Sequence, residues 1–169
     1  MAFYLNNYTS TADLVEAFNR IIYGSYRPNL GAALETARSE IFVASNGARQ
    51  EPSVMKLAVV FVTATPSSYR SSTLAEARAA AEMGIGVATV SVGTYIDRKL
   101  LSSITSYPTD KNLFVMPSVR NVSGLVDPIK RMICRGQLCD VFVCLSVCLH
   151  AYIPSFFSSS SSCPLVRNR

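Results

Sequence analysis

Few side chains of this sequence are placed to carry out catalysis. His150 is the only histidine, so a serine or cysteine nucleophile could be activated by an imidazole only there. It lies in an apolar stretch near the end of the chain, with no plausible partner. The acidic pairs Asp13/Glu16 and Glu35/Glu40 fall on predicted helix surfaces, where carboxylates are normally solvated and do not act as general acids. We therefore predict that the chain is not an enzyme.

Motifs for metal or nucleotide binding are also missing from the sequence. All five cysteines lie at position 134 or later, and Cys139, Cys144 and Cys148 are spaced too irregularly for zinc pairs. Gly84-Ile-Gly86 precedes a predicted strand, whereas the glycine-rich turn that holds a pyrophosphate follows one. We predict no cofactor, and a nucleotide-binding α/β enzyme is the least favoured class.

Chain length and charge further limit the classes of function that this protein could have. A chain of 169 residues suits one domain, and a hydrophobic fraction of 49% is sufficient for a core. The net charge is +5, but the basic residues are scattered and do not alternate with aromatic residues, so we predict no nucleic-acid partner. Residues 1–7 lack the basic start and the apolar run of a signal peptide.

The periodicity of the apolar residues predicts alternating helices and strands. Continuous apolar segments at 56–63, 85–92 and 113–116 are typical of parallel strands buried on both faces, and the run at 3–5 suggests another strand. Apolar residues at helical spacing predict helices over 14–22, 30–41, 73–83, 96–104 and 118–134. Gly84 is placed to end the third helix and Asp97 to begin the fourth. The order predicts an α/β fold with an open, mostly parallel sheet flanked by helices.

Residues 136–169 depart from this pattern. The segment 138–157 is nearly apolar enough for a membrane span of about 20 residues, but Asp140, His150 and Pro154 weaken that interpretation. A packed extra element would need a second core face. We therefore divide the chain into a domain over 1–135 and a Cys/Ser-rich apolar tail over 136–169, which we expect to be disordered or non-native.

Several segments, taken in order, resemble a von Willebrand factor A-type (VWA) domain of the kind repeated in collagen VI-like and matrilin-like proteins. The resemblance covers roughly residues 3–134. The matching segments are Phe3-Tyr-Leu-Asn-Asn-Tyr8, Leu14-Val-Glu-Ala-Phe18 with Ile21, Tyr23-Gly24, Leu30-Gly-Ala-Ala-Leu34, Lys56-Leu-Ala-Val-Val-Phe-Val-Thr63, residues 77–87, Val90-Ser-Val-Gly93, Leu100, Ile104, Tyr107-Pro108, Asn112-Leu-Phe114 and residues 126–134.

The resemblance implies that part of the domain is missing. In this family a central strand that ends in an Asp-x-Ser-x-Ser metal motif, a helix and a second strand precede the segment that resembles residues 3–8. We expect this chain to lack those three elements. Exposed strand edges and apolar surface should then make it unstable alone, unless another chain supplies the strands.

The resemblance also identifies two further ligand positions of the family's metal-ion-dependent adhesion site, and they are occupied here by Leu30 and Ala64. Neither side chain offers oxygen to a hard divalent cation, which needs about six oxygens. Thr63 and Thr65 flank the second position, but neutral hydroxyls alone would not hold Mg²⁺. We expect a degenerate site that binds no metal.

By resemblance, the chain is expected to be a non-enzymatic protein-binding module of a secreted extracellular matrix or adhesion protein, with collagen or other matrix proteins as partners. The alternative is an inert truncated fragment. Ligands of open α/β sheets bind beyond the carboxyl ends of the strands. The expected contact residues there are Arg27, Asn29, Thr63, Thr65, Ser67, Ser68, Tyr69, Thr94 and Tyr95.

Two kinds of covalent modification are expected. Asn7 and Asn121 begin Asn-x-Ser/Thr triplets, which are acceptors for N-glycosylation in secreted proteins. Cys134 falls where the family often closes a disulfide to a cysteine before the first strand. That partner is missing, so Cys134 would be unpaired or bonded to another chain.

Overall fold

In the described part of the chain, four parallel strands form one sheet, in the spatial order β3-β2-β1-β4. The computed structural model describes residues 3–21, 29–63, 69–94, 96–133 and 139–146. The strands are β1 (Met55–Val62), β2 (Ile85–Val92), β3 (Leu113–Met116) and β4 (Cys139–Ser146). The first three strands agree with the predicted ones to within one residue, and the α/β fold class is confirmed.

Helices cover both faces of this sheet. They are α1 (Thr11–Asn19), α2 (Leu30–Thr36), α3 (Arg70–Glu82), α4 (Arg98–Ile104), α5 (Thr109–Asn112) and α6 (Val126–Ile133). A π-helical turn, Ala37–Ile41, extends α2, and 3-10 helices lie at Ala44–Asn46 and Val119–Leu125. The predicted helix over 118–134 is thus divided between a 3-10 helix and α6.

Local signals fix several helix ends. The Ser10 side chain accepts a hydrogen bond from the Asp13 amide, 3.1 Å away, and so caps α1. Gly84 follows α3 with φ of 72°, a left-handed conformation that glycine adopts without a Cβ penalty. The position of Gly84 agrees with the predicted end of the third helix, whereas α1 begins three residues before the predicted helix over 14–22.

Each face of the sheet has its own buried cluster. On one face, alternate residues of β1 and β2 pack against Phe18 of α1 and against Leu125 and Ile129. On the other face, Val60, Val62 and Val87 pack against side chains of α2, α3 and α4. Helices on both faces explain why β1 and β2 are buried along most of their length and why their apolar residues do not simply alternate with exposed polar ones.

The prediction of a strand at residues 3–5 is wrong. These residues lie in a turn, in which the Asn7 amide donates to the Tyr4 carbonyl over 3.3 Å. The Asn7 side-chain oxygen accepts from the Tyr4 amide over 2.6 Å. Phe3 packs edge-on against Phe18 and partly covers the first core cluster. None of the described strands pairs with this segment. Its apolar residue Phe3 packs against α1 instead.

The tail contributes a strand that the sequence prediction did not include. β4 pairs with β1 over eight positions, from Met55↔Cys139 to Val62↔Ser146. The tail was expected to pack only if the domain offered a second core face. An open strand edge also offers hydrogen-bonding partners, and the tail pairs with the edge of β1. Residues 147–169 lie outside the described residues, so a disordered or non-native extension stays a prediction for them.

The segment 138–157 was a weak candidate for a membrane span. Its residues 139–146 form β4, and its residues from 147 on lie outside the described part. Within the described ranges, no helix is long and apolar enough to cross a membrane.

Candidate partner-binding face

The carboxyl ends of β1 and β2 bring several predicted contact residues to one end of the sheet. Thr63 directly follows β1, and Thr94 follows β2 after Gly93. Asn29 and Tyr69 precede α2 and α3. We call Asn29, Thr63, Tyr69 and Thr94 the candidate face.

Gly93 lets the ends of the strands approach one another. It has φ of 109°, and its amide donates to the Met116 carbonyl of β3 over 2.9 Å. A Cβ at this position would lie 3.8 Å from the Thr63 carbonyl, so β1 and β2 remain neighbours beyond their last paired residues. Thr63 and the exposed Thr94 therefore lie on adjacent strand ends.

The first turn of α2 joins the candidate face to the core. The Asn29 side chain accepts from the Ala32 amide over 3.1 Å and caps the helix. The next residue, Leu30, is only 2% exposed and belongs to the second core cluster. A Cβ on Gly31 would lie 3.1 Å from the Thr73 main-chain nitrogen, so glycine allows α2 and α3 to pack closely.

Tyr69 is the large exposed side chain of the candidate face, at 38% exposure. Its carbonyl accepts hydrogen bonds from the Thr73 hydroxyl over 2.7 Å and from the Ser72 hydroxyl over 3.0 Å. These bonds fix the backbone at the start of α3. The aromatic ring is therefore presented from an ordered position.

A charge pair lies beside this tyrosine. Arg70 of α3 forms an ion pair with Asp97, the N-cap of α4. The Asp97 carboxylate also accepts from the Leu100 amide over 3.0 Å. This amide, together with the Arg70 guanidinium, holds the pKa of Asp97 below its ordinary value of 3.8. The face therefore carries a fixed carboxylate next to a guanidinium.

Among the described residues at this end of the sheet, few side chains offer the oxygen ligands that a divalent cation prefers. Leu30, at a position that the resemblance assigns to a metal ligand, has a buried hydrocarbon side chain. Within the described ranges, no three His, Cys, Asp or Glu side chains converge on one point. Asp140 lies at the amino end of β4, in register with Lys56. At about 3.3 Å per residue, that is about 20 Å from the carboxyl end.

Several predicted residues cannot be placed. Arg27, Ala64, Thr65, Ser67, Ser68, Tyr95 and Cys134 lie outside the described residues. Asn7, the first predicted glycosylation acceptor, is exposed beside the turn before α1, and Asn121 lies in the 3-10 helix that precedes α6.

The prediction missed the ion pair between Arg70 and Asp97. Asp97 was predicted only as a helix start, and Arg70 precedes the predicted helix over 73–83. The two residues are 27 positions apart, so no local pattern links them. Arg70 begins α3 and Asp97 directly precedes α4, and both helices start at the same end of the sheet. That shared location is the signal that could have suggested the contact.

The parallel sheet with helices on both faces defines an open α/β domain. The family model described as the von Willebrand factor type A domain matches residues 1–128. The chain belongs to this family, as its sequence resemblance predicted.

Curated relatives agree with this assignment. The chain is 27% identical to cochlin of Bos taurus over 168 residues, which is 95% of this chain and 29% of cochlin. It is 29% identical to the collagen alpha-4(VI) chain of Mus musculus over 142 residues, 82% of this chain and 6% of that one. It is 26% identical to matrilin-3 of Gallus gallus, covering 87% and 32% of the two chains. The chain thus spans less than a third of each relative.

Solved structures show the same fold. Proximal thread matrix protein 1 from the mussel byssus superimposes with a TM-score of 0.70 at 17% identity, covering 79% of this chain and 33% of that one. Another structure of that protein, described as having a zinc-occupied MIDAS motif, gives a TM-score of 0.66 at 21% identity and covers 79% and 31% of the two chains.

Proposed function

We propose that this chain is a non-enzymatic protein-binding module of an extracellular matrix or adhesion protein, and that it binds its partner without a metal ion. Family membership and the matrix relatives support the binding role. The observation that carries metal independence is the burial of Leu30, which puts hydrocarbon where a ligand oxygen would be needed.

The partner is a matrix protein, and collagen is the first one to test. A collagen chain and a matrilin are among the curated relatives. An extracellular location follows from this proposal. Glycosylation at Asn7 and Asn121 would accompany it, and the exposure of Asn7 is compatible with attachment of a glycan.

The contact surface in this proposal is the candidate face together with Arg27, Thr65, Ser67, Ser68 and Tyr95. Tyrosine and arginine are enriched among the residues that dominate binding energy at protein interfaces. Tyr69 and Arg70 are adjacent here, and Asp97 restrains the guanidinium. A restrained side chain loses less conformational entropy on binding than a mobile one, so this pair forms a preorganised centre.

Binding to purified collagen VI tests this role, with the full chain in solution and collagen on a sensor surface. Tyr69→Ala is expected to weaken binding about tenfold or more, because it removes the exposed ring of the face. Tyr107→Ala is the matched control. Tyr107 is 92% exposed, but its neighbour Ser106 bonds to Val87 near the amino end of β2, at the opposite end of the sheet. This variant should bind like the unmodified chain.

Replacing Mg²⁺ by EDTA in the same experiment tests the metal. Equal affinity in both buffers is the expected result. Loss of binding in EDTA would contradict metal independence but would not contradict the assignment of the candidate face as the contact surface. Equal affinities of the Tyr69→Ala and Tyr107→Ala variants would reject the face, and an absence of binding to any matrix protein would reject the function.

A further inference from the structure

β4 is attached to the domain along one edge. Its eight residues pair in parallel with β1, and β1 is the element with which it makes extensive contact among the described ones. β2 and β3 lie on the far side of β1. Backbone pairing with β1 is therefore the main contact described for β4.

β1 needs a neighbour on this edge. In a parallel sheet, a central strand divides its backbone N–H and C=O groups between the strands on its two sides. β2 satisfies one side of β1, and β4 satisfies the other. Without β4, a row of polar groups along β1, whose last six residues are buried, would lack partners, and such an edge is a template for pairing with another chain.

The sequence of β4 is suited to pairing in more than one context. Cys-Asp-Val-Phe-Val-Cys-Leu-Ser contains one charged residue, three β-branched or aromatic residues in succession, and no proline. Such a segment prefers an extended conformation wherever an edge is available. It follows α6 after residues 134–138 and is the last described element, so its separation leaves the order of the other elements unchanged.

We propose that β4 is an exchangeable strand, and that the edge of β1 binds β4 of a second copy of this chain in the same parallel register. Each copy then completes the sheet of the other. The hydrogen bonds between β1 and β4 are the same in the closed monomer and in the exchanged dimer. Exchange of an identical element is therefore a low-cost route to a dimer.

Disulfide trapping between registered positions tests the exchange, because Val60 lies opposite Cys144. The full chain is prepared with Cys134, Cys139, Cys148 and Cys163 replaced by serine. One version carries V60C with Cys144→Ser, and the other keeps Val60 and Cys144. The two versions are refolded together and oxidised, so that a bond between positions 60 and 144 can form only between copies.

A disulfide-linked mixed dimer is the expected product, with the link mapped to positions 60 and 144 by peptide mass. V87C with Cys144→Ser is the matched control, because Val87 is equally buried but lies on β2, beyond β1. It should give only background cross-linking. A version with both V60C and Cys144 should form links within and between copies, with the share between copies rising with concentration.

Two results of the cross-linking experiment would overturn the proposal. One is a mixed dimer no more abundant than with V87C, while the version with both thiols links only within one copy. The other is a failure of V60C to link to Cys144 in either arrangement. Sedimentation of the unmodified chain does not depend on these substitutions. The fraction of dimer should rise with protein concentration. A monomer at every concentration would also overturn the exchange.

Discussion

Arg70 and Asp97 join the start of α3 to the start of α4 through an ion pair beside the candidate face. Their side chains are 43% and 36% exposed, so water screens much of the attraction between them. The second bond of Asp97, from the Leu100 amide, satisfies a backbone donor that has no partner inside the helix. Asp97 therefore stabilises the fold mainly as a helix cap.

Because Asp97 is a helix cap, removing its charge should lower the free energy of unfolding more than removing the charge of Arg70 does. Asp97→Ala is expected to have the larger effect, because it removes the N-cap of α4. Arg70→Ala removes only the screened attraction and should cost less than about 0.5 kcal/mol. Urea denaturation of the two variants measures both values. Equal losses would show that the ion pair, and not the cap, is the main contribution.

The lowered pKa of Asp97 predicts how this contribution depends on pH. The folded state binds a proton at Asp97 less readily than the unfolded chain does, so the stabilisation is complete above the ordinary value of 3.8. It is lost as the pH falls through the lowered pKa. Asp97→Asn cannot titrate at this position. The difference in unfolding free energy between the unmodified chain and this variant should stay constant from neutral pH to about 4 and shrink below it. A difference that grows on acidification would contradict the assignment.

Close packing at Gly31 predicts a steric penalty for any side chain there. In Gly31→Ala the new methyl group would lie 3.1 Å from both the Ser72 hydroxyl oxygen and the Thr73 main-chain nitrogen. The hydroxyl can rotate away, but the backbone of α3 must shift. A loss of about 1–3 kcal/mol in unfolding free energy is expected from this overpacking.

The matched control for this substitution is Gly124→Ala. A Cβ at Gly124 meets no atom within 4 Å, and its φ is not positive. Thermal denaturation of this variant should show no loss of stability, since alanine lowers the entropy of the unfolded chain. If both variants lost stability equally, close packing between α2 and α3 would not be the cause.

The sequence predicted the parts of this fold that are fixed by local patterns. The apolar runs of β1 and β2, the Asp97 cap and the Gly84 stop each depend on a few neighbouring residues. A strand also needs a partner, which no local pattern supplies. The run at 3–5 has strand composition but no described neighbour to pair with, whereas the tail segment meets the edge of β1 and forms β4.

The candidate face could be predicted only in outline for the same reason. The order of strands and helices predicted which end of the sheet would bind a partner, and it placed Thr63, Tyr69 and Thr94 at that end. The contact between Gly31 and Thr73 depends on how two helices pack. The pairing of Arg70 with Asp97 depends on where two separate helices begin.

Leu30 provides the sharpest test of metal independence. Leu30→Thr replaces a buried hydrocarbon with a hydroxyl at the position that the family resemblance assigns to a ligand. The variant should lose about 2–4 kcal/mol of unfolding free energy, because it removes core contacts and buries a polar group. One hydroxyl supplies only one of about six oxygens that Mg²⁺ needs, so no stabilisation by Mg²⁺ is expected in the variant or in the unmodified chain.

Leu34→Thr separates the two effects of this substitution. Leu34 is also 2% exposed, lies one turn further along α2, and belongs to the same core cluster as Leu30. Thermal denaturation with Mg²⁺ or EDTA should show similar losses in both variants and no dependence on the metal in either. A melting temperature that rises with Mg²⁺ in Leu30→Thr, but not in Leu34→Thr, would mean that the other oxygens of a metal site are already in place. In that case Leu30 alone would block metal binding, and the family's metal-dependent mode of binding could be restored by one substitution.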